Sequence, residues 1–145
     1  MTSMILTALA SAILTGAVHD RTRDTGSTQD WTLVRSVSNG QGGTMDFVVV
    51  REGRRRDRAH YETIANAICG SRRTCMVHFW TDGNHVPTSA WMSGAGLTEM
   101  TAQYERSPTY KAPVLRLACW LYATKTEGEG DKCFYLPGAR RPWSK

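Results

Sequence analysis

Four cysteines constrain this chain more than any other feature, because paired cysteines fix which segments must meet. They are Cys69, Cys75, Cys119 and Cys133, and four cysteines allow three connectivities. We predict the two local pairs. Cys69 and Cys75 flank a polar turn between a helix end and a strand start, whereas Cys119 and Cys133 flank an acidic loop between two strands. In the chain-entropy description, a closed loop of about fifteen residues stabilises the fold by ~3 kcal/mol.

The first 18 residues carry no charged side chain, and small residues crowd their second half. This pattern is typical of an export signal. We predict that residues 1–17 are a signal peptide, that 18–30 are a linker, and that the mature protein is periplasmic or secreted, where cysteines are normally paired. Because no lysine or arginine precedes the apolar run, the alternative is an uncleaved short anchor in the inner membrane, with the domain facing the periplasm.

The remaining residues, 31–145, are about one domain's worth of chain. Side chains alternate over 31–37, and 46–50 is apolar on both faces, so both segments are predicted strands that pair as a hairpin. Apolar residues at helical spacing then predict a helix whose N-cap is Asp57 and whose terminating glycine is Gly70. A third strand is expected over 74–80.

A second helix is predicted to start at Ser93, to carry Leu97, Met100 and Tyr104 on one side, and to stop before Pro108. Two further strands, over 113–122 and 133–136, should form a hairpin across the acidic loop. The predicted class is therefore α+β: a single mixed or antiparallel sheet with two helices on one face, in the order β-β-α-β-α-β-β, stapled by disulfides.

A motif of paired cysteines, an aromatic doublet and a downstream helix segment runs through Tyr61–Tyr122. Its residues are Cys69, Cys75–Asp82, Pro87, Met92, Ala102–Tyr104 and Cys119. On these residues the chain resembles small exported bacterial proteins of uncharacterised function that carry a Cys-x-Val-x-Phe-Trp-x-Asp core motif. The resemblance covers a little under half of the chain and implies an envelope location and a compact α+β fold. It implies no activity and no catalytic residue.

Reactive side chains are densest around His78, Asp82 and His85. The spacing His-x3-Asp-x2-His could place two imidazoles and a carboxylate around a metal ion. An amphipathic strand face followed by turn residues explains the same pattern more simply. The cysteine spacings do not match short zinc knuckles, and no G-x-S-x-G elbow is present. We therefore predict no metal, no cofactor and no catalytic residue.

Arginines supply the clearest functional signal in a chain of net charge +5. Five surround the junction between the second strand and the first helix, and two follow the helix: Arg51, Arg54, Arg55, Arg56, Arg58, Arg72 and Arg73. Cations near a helix start oppose the helix dipole, so helix stability does not explain the first group. The planar guanidinium suits phosphate or carboxylate. We expect these arginines to contact an anionic partner.

The expected function is a small exported binding or scaffolding domain of the bacterial cell envelope, without catalysis. Its partner would be another envelope protein or complex, or an anionic surface, and residues 1–18 offer a membrane contact. Nucleic acid is disfavoured because exposed aromatic residues do not interleave the arginine run. Two alternatives remain: an accessory subunit of a membrane complex held by an uncleaved N-terminal helix, and a basic exported nuclease.

Overall fold

A computed structural model describes residues 30–38, 43–88, 95–122 and 133–135. Their centre is one five-stranded sheet, in which the strands lie side by side in chain order. The strands are β1 (Trp31–Ser38), β2 (Thr44–Val50), β3 (Cys75–Trp80), β4 (Ala102–Arg106) and β5 (Val114–Leu117). The helices are α1 (Arg58–Cys69) and α2 (Ala95–Thr98), with 3-10 turns at Glu52–Arg54, Gly83–His85 and Cys119–Leu121. The sheet is mixed, because β2 and β3 are parallel and the other neighbours are antiparallel.

Helix α1 is the crossover between the parallel strands β2 and β3, which no tight turn can join. It begins as predicted at Asp57, whose side chain accepts a hydrogen bond of 3.0 Å from the backbone N–H of His60. Its buried face carries Tyr61, Ile64 and Ala65, which pack into the core formed with the sheet. Burial of an aliphatic or aromatic side chain contributes about 1.5–3 kcal/mol, so this face attaches the helix firmly.

The central strand β3 is buried on both sides. We define the helix side of the sheet by Val77 and Phe79, which lie in the core cluster with α1. The opposite side is defined by His78 and Trp80, which alternate with them along the strand. On that side Trp80 belongs to a second, smaller core cluster and stacks on Phe47 of β2, with ring centroids 5.7 Å apart.

Both predicted disulfides are present. Cys69–Cys75 joins the end of α1 to the start of β3, and Cys119–Cys133 joins the turn after β5 to the segment 133–135. The α+β class and the single mixed sheet are likewise as expected. Because each bridge links segments close in sequence, the local environments of the cysteines were sufficient to choose among the three connectivities.

The predicted second helix is wrong over most of its length. Within the described residues, helix α2 covers Ala95–Thr98, and Ala102–Arg106 forms strand β4 instead. The predicted start at Ser93 lies outside the described residues. Tyr104 fits helical spacing from Met100, but Ala102 and Tyr104 also alternate, and both are buried opposite Phe79 and Val77 of β3. Tertiary pairing therefore overrides the helical pattern.

The two helices do not share one face of the sheet. The indole N–H of Trp80, on the opposite side, donates a 2.7 Å hydrogen bond to the carbonyl of Gly96 in α2. Helix α1 lies on the helix side. The predicted order β-β-α-β-α-β-β is therefore not confirmed. Strand β4 lies where a helix was predicted, the predicted last strand contributes a single bridge, and α2 is a single turn on the other side of the sheet.

The predicted terminal hairpin is also wrong. Strand β5 ends at Leu117, and Ala118 forms a single parallel bridge with Phe134. The backbone N–H of Phe134 donates to the carbonyl of Leu117 at 3.0 Å, so the disulfide of Cys133 holds a short parallel contact rather than a strand pair. Leu136 lies outside the described residues.

The predicted signal peptide or anchor, 1–17, and the linker up to residue 29 lie outside the described residues. Asp30, assigned to the linker, belongs to the folded domain, because its carbonyl accepts a 2.9 Å hydrogen bond from the backbone N–H of Arg51. Among residues 30–38, 43–88, 95–122 and 133–135, no helix is long and apolar enough to cross a bilayer.

A tight turn links α1 to β3 and requires glycine at one position. Gly70 has φ 52° and ψ −128°, and the backbone N–H of Arg72 donates to the carbonyl of Cys69 at 3.0 Å. These backbone angles are those of the first central residue in a type II′ turn. Residues other than glycine rarely adopt them.

We predict that Gly70→Ala lowers the free energy of unfolding by about 1–3 kcal/mol, the cost of a strained backbone position. A Cβ at residue 70 meets no atom within 4 Å, so the effect is conformational and not steric. Gly53→Ala is the matched control, because its Cβ also meets nothing within 4 Å and its φ is not positive. Urea unfolding of both oxidised variants measures the difference. Equal stabilities would contradict the assignment.

Candidate functional site

Five arginines form one exposed surface between β2 and α1. We name Arg51, Arg54, Arg55, Arg56 and Arg58 the arginine surface; all five are exposed. A 3-10 turn over Glu52–Arg54 compacts the segment, because the backbone N–H of Arg54 donates to the carbonyl of Arg51 at 2.9 Å. The short connection to Asp57, the N-cap of α1, then concentrates the five guanidinium groups around one end of the helix.

Acidic side chains pair with four members of the arginine surface. The pairs are Arg51–Asp30 (3.3 Å), Arg54–Asp30 (3.8 Å), Arg54–Asp57 (2.8 Å), Arg55–Glu52 and Arg58–Glu62 (3.7 Å). These partners were not predicted from the sequence, although three pairs have the i,i+3 or i,i+4 spacing that brings side chains together on a helical surface. The hydrogen bond from the His60 backbone, together with Arg54, lowers the pKa of Asp57.

Two members of the arginine surface differ from the rest. Arg56 is exposed and has no hydrogen-bond or ion-pair partner among the described residues. Arg58 is partly structural, because its guanidinium donates a 2.8 Å hydrogen bond to the carbonyl of Leu115 in β5. Arg56 is thus the member most available to a ligand, whereas Arg58 also attaches the start of α1 to the sheet.

Arg72 and Arg73 do not join the arginine surface. They follow the other end of α1, and a helix of 12 residues is ~18 Å long. Arg72 contacts the protein itself: it forms a 3.1 Å ion pair with the buried carboxylate of Asp46 and donates to the carbonyl of Cys69 at 3.1 Å. Arg73 is exposed, with no partner among the described residues.

His78, Asp82 and His85 are not assembled into a metal site. Asp82 accepts a 2.9 Å hydrogen bond from the backbone of Asn84 and lies 3.7 Å from the imidazole of the half-exposed His85. His78 is fully buried within β3, and four residues of extended chain span ~13 Å. Within the part of the chain that the structure describes, no three His, Cys, Asp or Glu side chains are placed to hold a metal ion.

The imidazole of His78 is buried without a hydrogen-bond partner in the part of the chain that the structure describes. Neither ring nitrogen has a hydrogen-bond partner among the described residues, and burial lowers the pKa of His78 to about 4. The ring lies against Phe47 and Trp80, with centroid distances of 6.0 and 6.2 Å. Alternation along β3 predicted the direction of this side chain but not its complete burial.

Comparisons with protein-family models, with curated proteins and with solved structures found no match for this chain. The resemblance to small exported bacterial proteins therefore stays a prediction, and the geometry of the described residues carries the argument on function.

Protonation of His78 should destabilise the fold. Its pKa falls from 6.5 to about 4 on folding, so between these values the unfolded chain binds more protons. The free energy of unfolding is therefore unaffected by the protonation of His78 above pH 6.5. It decreases as the pH falls from 6.5 to about 4, by about 3 kcal/mol in total. Urea unfolding at pH 7.0 and 4.5 should show a smaller loss for His78→Phe than for the wild type. His85→Ala is the control and should retain the wild-type dependence; identical losses in all three proteins would refute the assignment.

Proposed function

We propose that this protein is a non-catalytic binding domain of the bacterial cell envelope, in which the arginine surface contacts an anionic partner. The observation that carries the proposal is the concentration of five exposed arginines within eight residues, at the helix end where the dipole disfavours cations. The two disulfides support a periplasmic or secreted location, because such bonds persist in oxidising compartments.

The ion pairs of the arginine surface leave it free to exchange partners. Arg51, Arg54 and Arg55 have side chains 69%, 49% and 45% exposed, and such pairs contribute only about 0–1 kcal/mol each to stability. A phosphate or carboxylate group can therefore replace an internal acidic partner at little cost. Guanidinium groups also bind such groups through two parallel hydrogen bonds.

The unpaired Arg56 gives this surface a point of first contact. Its charge is not offset by a neighbouring carboxylate, whereas Glu52, Asp57 and Glu62 offset three of its neighbours. An approaching anion meets Arg56 first and then competes for the flanking arginines. We therefore expect binding to be electrostatic and strongly dependent on salt, since exposed charges are screened over ~8 Å at physiological ionic strength.

Replacing Arg54, Arg55 and Arg56 together with glutamine should weaken binding to vesicles of phosphatidylglycerol and phosphatidylcholine by roughly a hundredfold, because each basic residue near an anionic membrane contributes ~1 kcal/mol. Co-sedimentation at low and high salt measures this effect. The melting temperature should remain nearly unchanged, because the broken ion pairs are exposed.

The matched control is Arg73→Gln combined with Lys111→Gln and Arg116→Gln, which removes the same charge from described residues outside the arginine surface. It should bind the vesicles nearly as well as the wild type. Equal weakening in both triple variants would show that net charge alone matters. Salt-independent binding, or no binding to these vesicles or to acidic envelope proteins, would reject the proposal.

A further inference from the structure

His78 is a fully buried imidazole whose two ring nitrogens have no hydrogen-bond partner among the described residues. An unpaired polar group in the interior costs free energy, which a carbon side chain of similar size would avoid. Packing alone does not require an imidazole at this position, because its neighbours are the aromatic rings of Phe47 and Trp80. An unpaired nitrogen lone pair is, however, what a metal ion requires of histidine.

Two methionines lie beside His78 on the opposite side of the sheet. Met45 of β2 is the register partner of Met76 of β3, and both are half-buried. Met76 precedes His78 by two positions, so the two side chains leave the strand on the same side. Directly opposite positions on neighbouring strands are about 5 Å apart, and positions two residues apart on one strand are about 7 Å apart. Flexible thioethers can close such gaps around one ion.

The position of the Met76 sulfur supports the same grouping. Its Sδ atom lies 3.8 Å from the side-chain nitrogen of Gln103, and Gln103 is the register partner of His78 in β4. The sulfur therefore contacts the side chain that occupies the register position opposite His78. A contact between an amide and a thioether is weak, so a stronger ligand of the sulfur would displace it easily.

We propose that Met45, Met76 and His78 form a binding site for a soft monovalent metal ion of the Cu(I) class. Thioether and imidazole are ligands that such ions prefer to the carboxylates and carbonyls suited to magnesium or calcium. All three ligands are neutral, so a monovalent ion adds only one positive charge. Glu105, the register partner of Met76, is half-buried and has no ion-pair partner among the described residues, and it offsets that charge.

Gln103 would orient the imidazole when the metal is bound. Coordination of one ring nitrogen leaves the other as an N–H donor, and metal-bound histidines normally direct that donor to an oxygen. Gln103 lies directly opposite His78, and its amide is released once the Met76 sulfur binds metal. Its side-chain oxygen is then an acceptor at the register position opposite His78. This site is independent of the arginine surface, which lies at the start of α1.

The test is binding of Ag(I), a redox-inert substitute for Cu(I), to the full-length oxidised protein in chloride-free buffer. Native mass spectrometry should show one Ag(I) per chain. The methyl resonances of Met45 and Met76 and the ring nitrogens of His78 should shift together, and the fluorescence of the adjacent Trp80 should decrease. Met45→Leu combined with Met76→Leu should lose stoichiometric binding while keeping the fold, because these substitutions conserve volume.

The matched control is Met100→Leu combined with His85→Gln, which removes one thioether and one imidazole from positions outside the proposed set. It should bind Ag(I) like the wild type. Retention of one Ag(I) by the double leucine variant, loss of binding in the control, or no stoichiometric binding by the wild type would each overturn the proposal. A further variant, His78→Phe, should also fail to bind Ag(I), although it retains both methionines.

Discussion

The carboxylate of Asp46 is the group on which this fold depends most. It is 1% exposed and lies in β2, between Ser36 of β1 and Val77 of β3. A charge in such a place must be paired, because the energy of desolvation is otherwise uncompensated. Arg72 provides the pair at 3.1 Å, while Ser36 of β1 and Thr44 of β2 donate hydroxyl hydrogen bonds to the same carboxylate. One side chain thereby ties two strands to the turn that follows α1.

This interaction also organises the end of the helix. Arg72 donates to the carbonyl groups of Ile68 and Cys69, and Arg106 of β4 donates to the carbonyl of Gly70 at 2.7 Å. Two guanidinium groups thus satisfy carbonyls that the helix leaves unpaired and complement the negative end of its dipole. Arg72 and Arg106 are therefore structural, whereas the five arginines at the start of α1 are exposed. That contrast separates Arg72 from the arginines proposed to bind a partner.

Local patterns in the sequence were sufficient for α1, for β1 to β3 and for both disulfides, because each depends on residues close together in the chain. They failed at Ala102–Arg106, where pairing with β3 decides between two periodicities. The candidate site was predictable only in part. The cluster of arginines is visible in the sequence. The burial of His78, the contact of Arg72 with Asp46, and the neighbouring positions of Met45 and Met76 are not, because they depend on strand register. A shift of one residue in that register would turn the strand side chains to the other face of the sheet.

A double-mutant cycle on Asp46 and Arg72 measures how strongly the stability of the fold depends on this ion pair. The proteins are Asp46→Asn, Arg72→Gln, the double variant and the wild type, each oxidised and unfolded in urea at neutral pH. If the pair organises this part of the fold, each single variant loses about 3 kcal/mol and the two changes couple by more than about 1 kcal/mol. Additive losses, within about 0.5 kcal/mol, would show that the ion pair does not have this role.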